Sequence, residues 1–229
     1  MKNKKNNSFT LDKFMEESLY NKKHGYYMKK NPFGESGDFI TAPNISILFS
    51  EMIAIWVISF WEKLNCPKQF NLIELGAGNG EMMKVLVHTF NKFPEFKNSC
   101  KVNILEKSKL LQRIQKVNIK NAKVKWLNNL NELNDFPCIF IANEFFDALP
   151  VKQFLKIKKK WHERYVNFTN NKKLEYLDIP FDMSKFEKEI KFKISYKQTF
   201  IEYSPLTSEY LKTIINKIKL NNGGILIID

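Results

Sequence analysis

The sequence predicts an α/β fold: a parallel sheet flanked by helices, with an N-terminal helical segment before it and an antiparallel insertion within it. Three observations predict it. Short apolar runs at 70–75, 101–106, 124–127 and 137–142 alternate with helical patterns at the spacing of βαβ units. A glycine-rich turn follows the first run directly, and after residue 150 the apolar residues switch to the period of two that marks half-buried antiparallel strands. With 229 residues, 44% of them hydrophobic, the chain can bury a substantial core, which excludes disordered, collagen-like and disulfide-stapled classes.

In order along the chain, residues 9–20 place Leu11, Phe14, Met15 and Leu19 on one helical face. Residues 24–43 are rich in Gly, Pro and Asn and read as a loop, with Tyr26, Tyr27, Phe33 and Phe39 to pack it down. Pro43 suits the first turn of a long helix running to about Leu64. Its apolar run, Met52 to Trp61, is half the ~20 residues a membrane span needs and lies between Glu51 and Glu62, so a buried helix is expected. Strands at 70–75, 101–106, 124–127 and 137–142 follow, with helices at 81–90 and 108–117. Segments 151–157, 163–168, 191–196 and 199–203 alternate as antiparallel strands. A helix from Pro205 to about Leu220, ended by Gly223 and Gly224, leads into a last strand at 225–228. The expected organisation is residues 1–69 as N-terminal helices and covering loop, and residues 70–229 as the core, with the insertion at about 151–203.

The formal charge of +13 is carried by lysine, for Arg113 and Arg164 are the only arginines. Lysines are scattered rather than blocked, and a lysine, asparagine, isoleucine and phenylalanine bias is what an AT-rich coding sequence produces. A solvated basic surface is therefore expected in preference to a nucleic-acid interface, which recruits arginine. Cys66, Cys100 and Cys138 show no metal-ligand spacing, which points to a reducing compartment and no bound metal. The start, MKNKKNNSFT, is followed by no apolar stretch and favours Lys and Asn over Arg and Ser. A cytoplasmic protein without a membrane span is the expectation.

Three stretches carry chemistry. Residues 74–80, ELGAGNG, place glycines at the carboxyl end of a strand and the start of a helix, where open α/β sheets bind ligands. The glycines admit close backbone approach, and the helix N-terminus offers unpaired N–H groups. The third glycine comes one position too early for a dinucleotide fingerprint. With an acid two residues before the first glycine, the spacing resembles motif I of class I S-adenosylmethionine (SAM) methyltransferases; a plain tight turn is the alternative. Glu106, ending the second strand, can accept from both hydroxyls of a ribose, or simply cap the next helix. Residues 143–150, NEFFDALP, cluster amide, acid and aromatic side chains after the fourth strand. They resemble motif IV of amino-group methyltransferases, and Glu144 and Asp147 could hold a guanidinium. A polar loop with Phe145 and Phe146 packed inward is the bland counterpart.

Three separated stretches together resemble the MidA-type methyltransferases, the family that includes the mitochondrial complex I assembly-factor methyltransferase. They are HGYY at 24–27 with GDFITAP at 37–43; ELGAGNG with Glu106, Ser108 and Gln115; and NEFFDALP with Glu202 and Gly223-Gly224. The resemblance implies a Rossmann-like class I methyltransferase sheet, SAM as donor, and arginine methylation of a protein acceptor, a complex I subunit. It also implies a GDFIT loop closing over the donor. Donor binding carries over to Gly37, Asp38, Thr41, Glu74, Gly76, Gly78, Gly80, Glu106 and Asn143, and acceptor-side roles to Glu144 and Asp147. Three positions depart from the family: Ala77 where Pro is usual, Asn44 where Glu is usual, and Ser50 where Gly is usual. Family members continue past the Gly-Gly strand, on which this chain stops, so the last strands of the sheet are expected to be missing. A split or decaying gene, a shortened chain, or a partner polypeptide completing the sheet would explain that. Competing readings are an inert remnant that binds SAM at most, and a basic module binding RNA or protein.

Overall fold

The computed structural model describes residues 8–34, 36–120, 122–169 and 173–229; residues 1–7, which entered the expectation about location, lie outside them. The elements are β1 (Ser8–Thr10), α1 (Leu11–Tyr20), α2 (Tyr26–Lys29), α3 (Ala42–Ile45), α4 (Ile47–Lys63), β2 (Phe70–Leu75), α5 (Glu81–Phe90), α6 (Pro94–Ser99), β3 (Cys100–Leu105), α7 (Lys109–Asn118), β4 (Val124–Leu127), β5 (Cys138–Asn143), β6 (Lys152–Ile157), β7 (Lys160–Phe168), β8 (Leu174–Pro180), α8 (Met183–Ile190), β9 (Phe200–Tyr203), α9 (Pro205–Asn221) and β10 (Gly223–Ile228). The chain divides into two compact units, residues 1–21 with 149–209, and residues 22–148 with 210–229. The expected 1–69 segment is thus divided at Asn21, because β1 pairs antiparallel with β7 and binds the start of the chain to the antiparallel sheet.

The larger unit is a five-stranded sheet in the order β10-β5-β2-β3-β4, parallel throughout. Alternation along β2 explains its two faces. Leu72 joins Ile104, Ile139 and Ile141 against Ile53, Ala54 and Val57 of α4 and Met83 and Leu86 of α5. Ile73 and Leu75 join Leu105, Phe140 and Ala142 against Ile214 of α9. Strands buried on both faces read as continuous apolar runs, which is why the sequence exposes them. The helix expected from Pro43 to Leu64 is broken at Ser46, whose backbone is extended (φ −140°, ψ 120°), into α3 and α4. Gly223 and Gly224 open β10 rather than end α9. A Cβ at Gly223 would stand 1.9 Å from the Cys138 carbonyl oxygen, and one at Gly224 2.5 Å from the Phe60 ring. Among the described residues, β10 and β4 are the edges of this sheet, and no helix is long and apolar enough to cross a membrane.

The smaller unit is an antiparallel sheet in the order β1-β7-β6-β9, with β8 also on β7. Phe154 of β6 packs with Met183 and Phe186 of α8 to form its core. The strand expected at 191–196 is instead an irregular segment. The Glu187 carboxylate accepts from the Ile194 N–H (2.8 Å), the Glu187 carbonyl accepts from the Phe192 N–H (3.2 Å), and the Lys156 ammonium donates to the Tyr196 carbonyl (2.8 Å), so these backbone bonds go to a helix end and to side chains rather than to a neighbouring strand.

Candidate functional site

The site lies in the larger unit, at the carboxyl ends of β2, β3 and β5. The turn after β2 needs its glycines. Gly76, Gly78 and Gly80 have φ of 64°, 53° and 84°, the left-handed region where a side chain is strained. A Cβ at Gly76 would press to 2.7 Å on the Phe145 ring, and one at Gly80 would come within 3.2 Å of the Gln115 side chain. The Gly76 N–H donates to the Leu105 carbonyl (2.9 Å), tying the turn to β3.

Gln115 organises the turn. Its amide nitrogen donates to the Gly78 carbonyl (2.9 Å) and to Glu106 Oε2 (3.1 Å), and its amide oxygen accepts from the Trp126 indole N–H (2.8 Å). Glu106 Oε1 accepts from the Ser108 N–H (2.8 Å), while Ser108 caps α7 through the Leu111 N–H (3.3 Å). Glu106 thus braces the start of the next helix, the plainer of the two roles expected of a strand-end acid, and its Oε2 is held near the glycine turn by Gln115. Burial pushes its carboxyl up to about 7, against the lowering effect of these hydrogen bonds. Glu74 is 3% exposed, and burial, helped by the charge of Glu106, pushes it up to about 8.

Buried polar atoms mark where a ligand fits. Five side-chain atoms among the described residues are buried without a hydrogen-bond partner: Glu74 Oε2, Asn143 Oδ1 and Ser50 Oγ, on β2, β5 and α4, and, elsewhere, Asp12 Oδ1 and Asn221 Nδ2. Such atoms are costly unless something supplies the missing bond. Glu74 alternates with Leu72, and Asn143 with Ile141, so both stand on the sheet face covered by α4, the helix that carries Ser50. Acceptors at the ends of adjacent strands, beside a turn that favours glycine, fit a ligand with ammonium and hydroxyl donors.

The 24–43 loop holds two short helices and a turn closed by Phe39 N–H to the Pro32 carbonyl (2.8 Å) and Gly34 N–H to the Phe39 carbonyl (3.0 Å). Gly37 is at a close approach, since its Cβ would lie 2.3 Å from the Pro32 carbonyl oxygen. The loop rests on the glycine turn, with the Phe33 ring 3.4 Å from where a Gly78 Cβ would stand. Asp38, in contrast, is engaged locally: Tyr26 and Lys30 both donate to it, Lys30 foremost in holding its carboxyl below the usual range. Thr41 donates to the Asn44 side chain (3.0 Å). Asn44, one of the departures, thus acts as a partner within the loop.

On the other side, the Glu144 N–H donates to the Ile228 carbonyl (2.8 Å), and Glu144 itself has φ 48°. Glu144 and Asp147 are exposed. The Tyr27 phenol is raised by burial, then by the charges of Tyr26 and Asp147. Phe145 packs inward against Gly76 and Tyr210. Ser50 and Gln115 were absent from the expected site. The signal for Gln115 was a polar residue at i+4 from Leu111, inside the apolar stripe of an amphipathic helix.

Comparison with known proteins gives this geometry a lineage. The protein arginine methyltransferase NDUFAF7, mitochondrial, of Xenopus laevis is 34% identical, over 69% of this chain and 42% of that protein. Its human counterpart is 28% identical, over 96% of this chain and 55% of that protein. The chain thus spans about half the length of the curated relatives it matches. A crystal structure from Burkholderia thailandensis, bound to S-adenosyl-homocysteine, shares the fold with a TM-score of 0.74 at 24% identity, covering 90% of this chain and 55% of that one. The relatives are mitochondrial, which overturns the expectation of a cytoplasmic protein. That expectation rested on Lys and Asn outweighing Arg and Ser at the start, a bias this chain carries throughout its length. Residues 52–229 match the model of the family described as "Putative S-adenosyl-L-methionine-dependent methyltransferase", and the chain belongs to that family.

Proposed function

We propose that this chain binds SAM at the carboxyl ends of β2, β3 and β5 and methylates an arginine of a protein acceptor, with a complex I subunit as the specific target. The observation that carries the donor site is the pairing of the left-handed glycine turn with the orphaned acceptors Glu74 Oε2 and Asn143 Oδ1. In this reading Glu106 takes the ribose hydroxyls, Gly76, Gly78 and Gly80 give room for the donor, and Glu74 and Asn143 meet its polar amino-acid end. Gly37, Asp38 and Thr41 belong to the loop that excludes water.

Bound SAM supplies an activated methyl group on a sulfonium. The remaining work falls to the chain's own residues, which orient the acceptor and receive a proton. A guanidinium holds its proton to above pH ~12, so the proton leaves at or after attack by the nitrogen, while carboxylates orient the guanidinium and localise its charge. Glu144 and Asp147 are exposed acids on the loop after β5 and suit that task.

The test is calorimetric SAM binding by this chain, with Gly78→Leu as control, then transfer of labelled methyl to arginine in mitochondrial protein. Binding lost in the control, with transfer abolished by Glu144→Gln plus Asp147→Asn, is the expected result. A well-folded chain without SAM affinity would sink the donor assignment. Undiminished transfer by the double variant would remove the acids from the chemistry.

A further inference from the structure

In sequence the lysines are scattered, yet the fold of the smaller unit gathers seven of them, with no acid among them, on segments 156–160 and 191–197. The Lys156 ammonium joins the two segments through the Tyr196 carbonyl (2.8 Å) and sits over the Trp161 ring. No carboxylate among the described residues forms an ion pair with any of the seven. Large aromatic side chains stand out of the 191–197 segment: Phe192 is 68% and Tyr196 83% exposed. The β6–β7 turn adds a further sign. Lys158 and Lys159 both occupy left-handed backbone (φ 47° and 66°). Tight hairpin turns favour Asn-Gly at such positions, so lysine there is strained. Strain of this kind collects where function demands a particular side chain.

We infer that this basic, aromatic-tipped surface docks on an anionic lipid bilayer. Lysine ammoniums meet lipid phosphates as point charges while their stems lie along apolar surface. Tyr and Phe settle at headgroup level, where amphipathic and aromatic rings are favoured. Nucleic acid fits less well. The segments contain no arginine, and Arg164 of this unit is engaged with Asp178 (3.0 Å). The inference does not depend on the methyltransferase reading, because it uses only the antiparallel unit.

The experiment is co-sedimentation of the whole chain with phosphatidylcholine vesicles, with and without about one third phosphatidylglycerol, at low and high salt. Two variants accompany it: Lys158→Gln, Lys159→Gln and Lys160→Gln together, and Phe192→Ser with Tyr196→Ser. All changes are at exposed positions, and urea midpoints equal to the parent's verify folding. The parent is expected to sediment with anionic vesicles only and to be released by salt. The lysine variant should partition less by on the order of a hundredfold, and the aromatic variant by about tenfold or more. Failure to sediment with anionic vesicles, or either variant behaving as the parent, overturns the inference. So does tighter binding to single-stranded RNA or polyglutamate than to the vesicles.

Discussion

Gln115 joins Glu106 to Gly78: one amide nitrogen donates to the Glu106 carboxylate (3.1 Å) and to the Gly78 carbonyl (2.9 Å). The acid at the end of one strand and the glycine turn at the end of its neighbour are thereby held by a single buried side chain from α7. Replacing it with leucine of similar size removes these two bonds and the one from Trp126. We expect Gln115→Leu to lose ~2–4 kcal/mol in urea denaturation. SAM affinity, read by calorimetry, should fall with it.

Glu74 and Glu106 have folded values near 8 and 7, above the ordinary 4.5. Between 4.5 and these values the folded chain holds protons that the unfolded chain has released. Their contribution to stability is therefore full below about 4.5 and falls as pH rises toward 8. Urea midpoints measured across this range should decline with pH in the parent. Glu74→Gln with Glu106→Gln should flatten the decline.

Gly76 and Phe145 form a coupled pair. Gly76→Ala meets both left-handed backbone and a ring 2.7 Å away. Phe145→Leu relieves only the second. A double-mutant cycle by urea denaturation should show non-additivity of ~1 kcal/mol, with the double variant more stable than the sum predicts.

Gly37→Ala would set a methyl 2.3 Å from the Pro32 carbonyl oxygen and force the loop open. Since the loop surface at Asp38, Phe39 and Ile40 is exposed, the global urea midpoint should barely move. SAM affinity should fall by about tenfold or more, the equivalent of ~1.4 kcal/mol.

The parallel sheet was legible because burial on both faces leaves unbroken apolar runs. β2, β4 and α5 begin and end where the sequence places them. β8 escaped because most of its side chains are exposed, so its sequence shows no apolar alternation. The converse error fell on Phe192, Ile194 and Tyr196, which alternate in sequence although only Ile194 joins the core. β1, with three residues, is too short to show a period. In the site, the glycine turn and the strand-end acids were legible from residue type and spacing. That Asp38 answers to Lys30 and Tyr26 was not, since the pairing depends on how the loop folds back.

The pairing of Ile228 with Asn143, and the Glu144 bond to Ile228, carry a consequence for biosynthesis. The glycine turn and its neighbouring strands β3 and β5 have all been translated once Asn143 is made. The backbone of the acid-bearing loop stays untethered until the entire antiparallel unit and α9 have followed. During synthesis the strands and glycine turn of the candidate site thus come first and the backbone tether of the loop after β5 comes last, a pairing slow to form because its partners are so distant in sequence.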